Sequence, residues 1–155
     1  MTNQTDFVGP FRFADWPVSA VPAVAAGVYT IWEGGLLIYV GMSGRGHSQS
    51  SLRKAKTAGR RVGLWTRLNS HASGRRSGDQ FCVYVADRLV LPHLTDLQVE
   101  EIAAGRLKFD GLIRERIRER MEFSFTITHD GQSAAALEAE LRRGSLGAPP
   151  TLNPA

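Results

Sequence analysis

The chain has 155 residues, 43% hydrophobic and 22% charged, with a net charge of +4, a length that supports one sizeable core and is short for two domains. Its single cysteine, Cys82, excludes an internal disulfide and a cysteine-rich zinc site and suits a reducing compartment. No apolar run is long enough to cross a bilayer, and Val18–Ile31 contains Pro22 and has no basic leader, so the expected location is cytoplasmic, without a membrane partner.

Residues 1–26 are broken by prolines and show no clear period, which predicts an irregular N-terminal arm pinned to the core by Phe7, Phe11, Phe13 and Trp16. Two β-rich runs follow, Gly27–Trp32 and Leu36–Gly41, around the turn triplet Glu33-Gly34-Gly35. They read as a β-hairpin. A two-residue loop would place Tyr29 opposite Val40 and send Tyr29 and Tyr39 to opposite faces. A three-residue loop pairs Trp32 with Leu36 and Tyr29 with Tyr39, on one face. Gly35 suits the left-handed position that ends such loops, so the three-residue loop is expected.

The segment from Arg45 to Gly78 contains Arg45, Arg53, Lys54, Lys56, Arg60, Arg61, Arg67, Arg75 and Arg76 and no acidic residue. It carries +9, and the remainder of the chain therefore −5. Such asymmetry is the electrostatic footprint of a phosphate-backbone binder. Residues 45–63 read as a basic loop, mobile without ligand, with room for one short helix around Ser51–Ala58.

Gly63–Ser73 has helical spacing, with Leu64, Trp65, Leu68 and Ala72 on one stripe. Arg67 and His71, four residues apart, project from one face. Phe81–Leu91 is β-rich and reads as a strand. Thr95 and Gln98 form a capping-box pattern, with Gly105 as the stop. A further helix is expected over Gly111–Glu122, capped by Asp110, with Ile113, Ile117 and Met121 buried. Phe123–Thr128 alternates as a half-buried strand, and Ser133 is expected to cap a helix over Ala134–Arg143. The sum is one α/β (α+β) domain, a small, mostly antiparallel sheet built on the central hairpin and flanked by helices. His47, His93 and His129 lack metal-ligand spacing, and Cys82 reads as core.

The tripeptides Gly27-Val28-Tyr29 and Tyr39-Val40-Gly41 resemble the signature of the GIY-YIG nuclease superfamily. The likeness extends to Arg67 and His71 on the following helix, to Glu138 within Leu137-Glu138-Ala139-Glu140-Leu141, and to Asn153 after Pro150. Met42 stands where many members have a lysine. The interval from Gly41 to Arg67 is also long, and Phe81–Glu122 reads as an added or rearranged strand and helix pair.

The resemblance implies a metal-dependent endonuclease that hydrolyses DNA phosphodiesters, RNA being a second conceivable substrate. It implies one Mg²⁺ or Mn²⁺ per site, held by Glu138. Tyr29 would accept the proton of the attacking water, and Tyr39 would orient that water or share the role. Arg67 would hold the scissile phosphate, His71 a neighbouring oxygen or the base, and Asn153 would orient the catalytic helix or the substrate. Arg45, Arg53, Lys54, Lys56, Arg60, Arg61, Arg75 and Arg76 would grip the nucleic-acid backbone. A homodimer would serve double-strand cleavage.

The residue types suit this chemistry. Hydrolysis must position water, deprotonate it and stabilise developing charge, and hydrated Mg²⁺ needs only one or two carboxylates plus substrate oxygens. A tyrosine base is unusual, because its free pKa is ~10. Lowering it by about three units requires ~4 kcal/mol of preferential phenolate stabilisation, for which Arg67 and the metal are the expected sources. The alternative from another class is a catalytically silent nucleic-acid-binding module on the same scaffold. A basic adaptor without nucleic-acid function is the third.

Overall fold

The computed structural model describes residues 6–154. Its centre is the hairpin of β3 (Gly27–Glu33) and β4 (Leu36–Ser43). Gly34 and Gly35 have φ of 56° and 78°, the left-handed pair that a tight two-residue hairpin turn requires. Glu33 accordingly pairs with Leu36 and Trp32 with Leu37. This corrects the expected three-residue loop. One extra residue in β4 then shifts the register, so that Ile31 pairs with Tyr39 and Tyr29 with Gly41. The bulge restores the parity that the short turn would have reversed. Tyr29 and Tyr39 therefore share a face, displaced by two residues rather than directly opposed.

The main sheet has the order β1–β6–β3–β4, every neighbour antiparallel, where β1 is Val8–Arg12 and β6 is Met121–Ile127. The fold is a mixed α+β architecture. The N-terminal segment is thus not an irregular arm. β1 forms an edge of the sheet, a 3₁₀ turn follows at Phe13–Asp15, and β2 (Val24–Ala25) pairs in parallel with β5 (Val62–Gly63). Aromatic packing supplies the reason: the rings of Phe11, Phe13 and Trp16 lie 5.6, 4.9 and 5.9 Å from that of Phe123. The expectation that aromatics pin the segment to the core holds for these three, and Phe7 packs against a second, smaller apolar cluster.

The sheet separates two apolar clusters. Tyr29, Ile31, Phe123 and Phe125 face the larger one, shared with α2 (Leu64–Ser73), α3 (Gln80–Val85) and α5 (Phe109–Arg120). Val28, Leu37 and Val40 face the smaller one, closed by Ala134 and Leu141 of α6 (Gly131–Arg142). Each large side chain so buried contributes about 1.5–3 kcal/mol.

Several expected elements differ in kind or extent. In the basic segment the short helix expected around Ser51–Ala58 is present as α1 (Gln49–Thr57), starting two residues earlier because Ser48 and Ser51 build a capping box. Phe81–Leu91 is not a strand but α3 continued by a π-helical stretch, Ala86–Val90, and a 3₁₀ turn, Leu91–His93. The Asp79 carboxylate caps α3 by accepting from Cys82 N–H, and Phe81, Cys82, Val85, Ala86 and Val90 are buried at helical spacing. Residues 81–120 are therefore mainly helical and include α4 (Asp96–Ala103) with the expected Thr95–Gln98 box. Helix α5 ends at Arg120, and its last expected residues, Met121 and Glu122, open β6 instead. Asp130, not Ser133, caps α6, its side chain accepting from Ser133 N–H. No helix among the described residues is long and apolar enough to cross a membrane.

Candidate active site

β4 is an edge strand, and such edges need covering. The chain's last segment covers half of it. Thr151 N–H and Leu152 N–H donate to the carbonyls of Leu37 and Ile38, and Asn153 Oδ1 accepts from Val40 N–H at 2.8 Å while Nδ2 donates to Val40 O at 2.9 Å. This strand-like zipper stops there. Gly41, Met42 and Ser43 are left to line a cavity of about 250 Å³ with Tyr29, Tyr39, Arg45, Arg67, His71, Gln80, Phe81 and Glu138.

Both glycines of the two tripeptides have steric reasons. A Cβ on Gly27 would strike Thr126 O and the Leu64 side chain, where α2 docks, and one on Gly41 would overlap the Tyr29 hydroxyl. With hydrogen at both positions, α2 lies close on the sheet and the phenol reaches the cavity. Helix α2 then presents Arg67 and His71 from successive turns. Helix α6 delivers Glu138 from the other face, its start fixed by Gly131 N–H donating to His47 O at 2.9 Å. Residues from both faces meet because no strand lies beyond β4.

The innermost groups form a chain. The Tyr29 hydroxyl and His71 Nε2 are 2.7 Å apart, and His71 Nδ1 and Asp79 Oδ2 are also 2.7 Å apart. Ser70 Oγ donates to the same carboxylate oxygen at 2.6 Å. Tyr29, His71 and Asp79 are each no more than 2% exposed. Burial would raise the Asp79 carboxyl, but hydrogen bonds from His71, Ser70 and the Cys82 N–H hold it down at about 2. An ionised carboxylate only accepts, so His71 bears its proton on Nδ1, and neutral imidazole offers the Nε2 lone pair to the Tyr29 hydroxyl.

At both tyrosines burial outweighs Arg67. Burial pushes the Tyr29 phenol well above its ordinary value, with Tyr39, Asp79 and Glu138 adding to the rise. Burial likewise raises Tyr39 to about 12. Arg67 lowers both, but less than burial raises them. Both phenols are therefore held protonated, and the Tyr29 hydroxyl has the His71 imidazole as its partner.

Arg67 is exposed, and its guanidinium has no ion-pair partner among the described residues. It is free to meet an anion. Glu138 is pushed up by burial, only partly offset by Arg142 and Arg45, and its link to Arg142 is a long 3.9 Å. A half-buried carboxylate short of positive charge suits a cation. Among the described residues no three of His, Cys, Asp and Glu gather as a metal cage. One carboxylate fits a hydrated divalent ion that takes its other oxygens from water and substrate.

The other expected positions divide. Asn153 does not line the cavity, and its side chain is spent on the β4 backbone. Arg45 stands at the cavity wall. Arg53, Lys54 and Lys56 are exposed on α1, Arg60 and Arg61 follow it, and Arg75 is exposed beyond α2. Arg61 lies 4.0 Å over the Trp65 ring. Arg76 is already engaged, with Nε 2.6 Å from Asp110 Oδ1 and its guanidinium 4.6 Å over Phe109. Sequence reasoning passed over Asp79 and Gln80. An acidic residue two positions before apolar residues spaced i, i+1, i+4 and i+5 is the available sign of a helix start and hence of Asp79. Comparisons with known protein families, with curated proteins and with solved structures find no match.

Proposed function

We propose that the chain is a metal-dependent endonuclease that hydrolyses DNA phosphodiester bonds. The observation that carries this reading is the meeting of Tyr29, Tyr39, Arg67, His71 and Glu138 around one cavity. Those positions are scattered over more than a hundred residues, and they are five of the six candidate site residues that match the GIY-YIG signature, Asn153 being the sixth. The exposed cations of α1 and its flanks supply the sequence-independent grip that a polyanion requires.

In this mechanism Arg67 binds the scissile phosphate, and Tyr39 orients the attacking water. Tyr29 accepts the water's proton as its own passes to His71 Nε2. The water oxygen forms the new bond to phosphorus, and the bond to the leaving oxygen breaks with its electron pair. That oxygen takes a proton from solvent. Glu138 would hold one Mg²⁺ or Mn²⁺, which supplies charge neutralisation at the phosphate. Cutting both strands takes two sites, as in a homodimer, or two encounters.

Met42 favours the second reading, a binding module that no longer cuts. It lines the cavity at the position where the family commonly has lysine, leaving Arg45 as the neighbouring cation. Incubation of plasmid with the protein and Mg²⁺ or Mn²⁺ separates the two. The nuclease reading expects nicking that falls at least ~10²-fold in Tyr29→Phe and Glu138→Ala, with DNA binding retained. Binding without cutting in either metal supports the module.

A further inference from the structure

We infer that Asp79 is the positioning residue of the site, holding His71 in the single orientation and tautomer that lets it take a proton from Tyr29. The inference rests on the nuclease reading and concerns a residue outside the family signature.

Asp79 divides its two oxygens between two tasks. Oδ1 accepts from Cys82 N–H at 3.1 Å and starts α3. Oδ2 accepts from Ser70 Oγ at 2.6 Å and from His71 Nδ1 at 2.7 Å. Capping alone asks only for a short polar side chain, and serine, threonine or asparagine would serve. A carboxylate buried to this extent is costly unless its charge is answered. Here three donors answer it, Cys82 N–H, Ser70 O–H and His71 Nδ1–H, and only the last belongs to a group that can take up a further proton.

The imidazole has little freedom to find this pose by itself. Its ring centroid lies 4.7 Å from that of Phe81, the first residue after Gln80 in the helix that Asp79 caps. Rotating the ring would break the Asp79 contact and bury an unsatisfied nitrogen. Asp79 therefore couples the start of α3 to the orientation of His71. The arrangement has the logic of a base oriented by a third group, found wherever a weak acid must be activated.

The step it supports balances without an outside reactant. The Tyr29 O–H bond breaks toward His71 Nε2 as Tyr29 oxygen gains the proton released by water. Asp79 stays ionised throughout and stabilises the imidazolium that results.

The test uses the full chain and Asp79→Asn. In this variant the amide oxygen can still cap Cys82 N–H, while the amide nitrogen, a donor, faces Nδ1. Nitrogen NMR of the His71 ring is expected to show the proton on Nδ1 in the native chain and on Nε2 in the variant. Plasmid cleavage in Mg²⁺ is expected to fall about 10²–10⁴-fold, with DNA affinity unchanged.

A native chain carrying the proton on Nε2 overturns the inference without any variant, so misfolding of Asp79→Asn does not shelter it. A variant that flips the tautomer yet cuts at the native rate overturns it too, and leaves the nuclease reading standing. If the native chain cuts no DNA in either metal, the nuclease reading fails instead. The tautomer pair then still decides whether Asp79 positions His71: a flip upholds it, and no change overturns it.

Discussion

Gly41 of β4 pairs with Tyr29 of β3, and the Tyr29 hydroxyl occupies the space where a side chain on Gly41 would begin. The phenol is buried and rigid, and cannot swing aside as a lysine tip would. Gly41→Ala is therefore expected to push the ring off His71, destabilising the fold by about 1–3 kcal/mol as overpacking does. Loss of cleavage should exceed the loss explained by the unfolded fraction. Thermal unfolding beside a single-turnover assay checks this, and a variant of native stability and native rate would refute it.

Asn153 serves the edge of the sheet rather than the reacting groups. Asn153→Ala removes two hydrogen bonds to Val40, at a net cost of about 1–3 kcal/mol. Denaturant titration should register that loss. The folded fraction should cleave at a rate close to native, since the residue is not at the cavity. A rate deficit larger than the unfolded fraction accounts for would return Asn153 to a catalytic role.

Asp79 has a signature in acid. Its pKa lies near 2 in the folded chain, below the ordinary carboxyl value of 3.8. A depressed carboxylate contributes stability above its unfolded pKa and loses it as pH falls through the folded one, so the relevant window runs from about pH 4 to about pH 2. The contribution is on the order of 2 kcal/mol. Urea titrations across this window should show a steeper acid decline in the native chain than in Asp79→Asn. Parallel curves would contradict it.

At the alkaline end the sign reverses. Tyr39 titrates near 12 when folded against 10.0 for a free phenol. Its contribution is complete below pH 10 and disappears as pH rises through the folded value. The near-ultraviolet difference between the native chain and Tyr39→Phe should reveal phenolate only towards pH 12. A midpoint near 10 in the folded protein would show that burial is not the controlling influence.

The cations divide into free and occupied. Neutralising Arg53, Lys54 and Lys56 together should lower the salt dependence of DNA affinity, by up to ~0.9 in logarithmic slope for each lost phosphate contact. Arg76→Ala should change it little, because that guanidinium is held by Asp110 and Phe109. Fluorescence anisotropy at several salt concentrations measures both. Equal slopes for the two variants would remove α1 from the interface.

What the sequence determined by itself is what neighbours along the chain decide. The spacing of Arg67 and His71, the Thr95–Gln98 capping box, the alternation over Phe123–Thr128 and the two glycine-tyrosine tripeptides all depend on residues a few positions apart. These locate the hairpin, most helices and five residues of the candidate site. The tertiary structure decided the rest, because contacts between distant segments outweigh local preference. Phe81–Leu91 has the composition of a strand, yet a cap at Asp79 and burial against the core make it helical. The two-residue turn and the bulge beyond it are register effects, which a count along one strand does not show. Asp79 reaches His71, and Asn153 reaches Val40, only once the sheet has formed. The direction in which the tyrosines titrate depends on how much water is excluded around them, a property of the folded interior that no stretch of sequence carries.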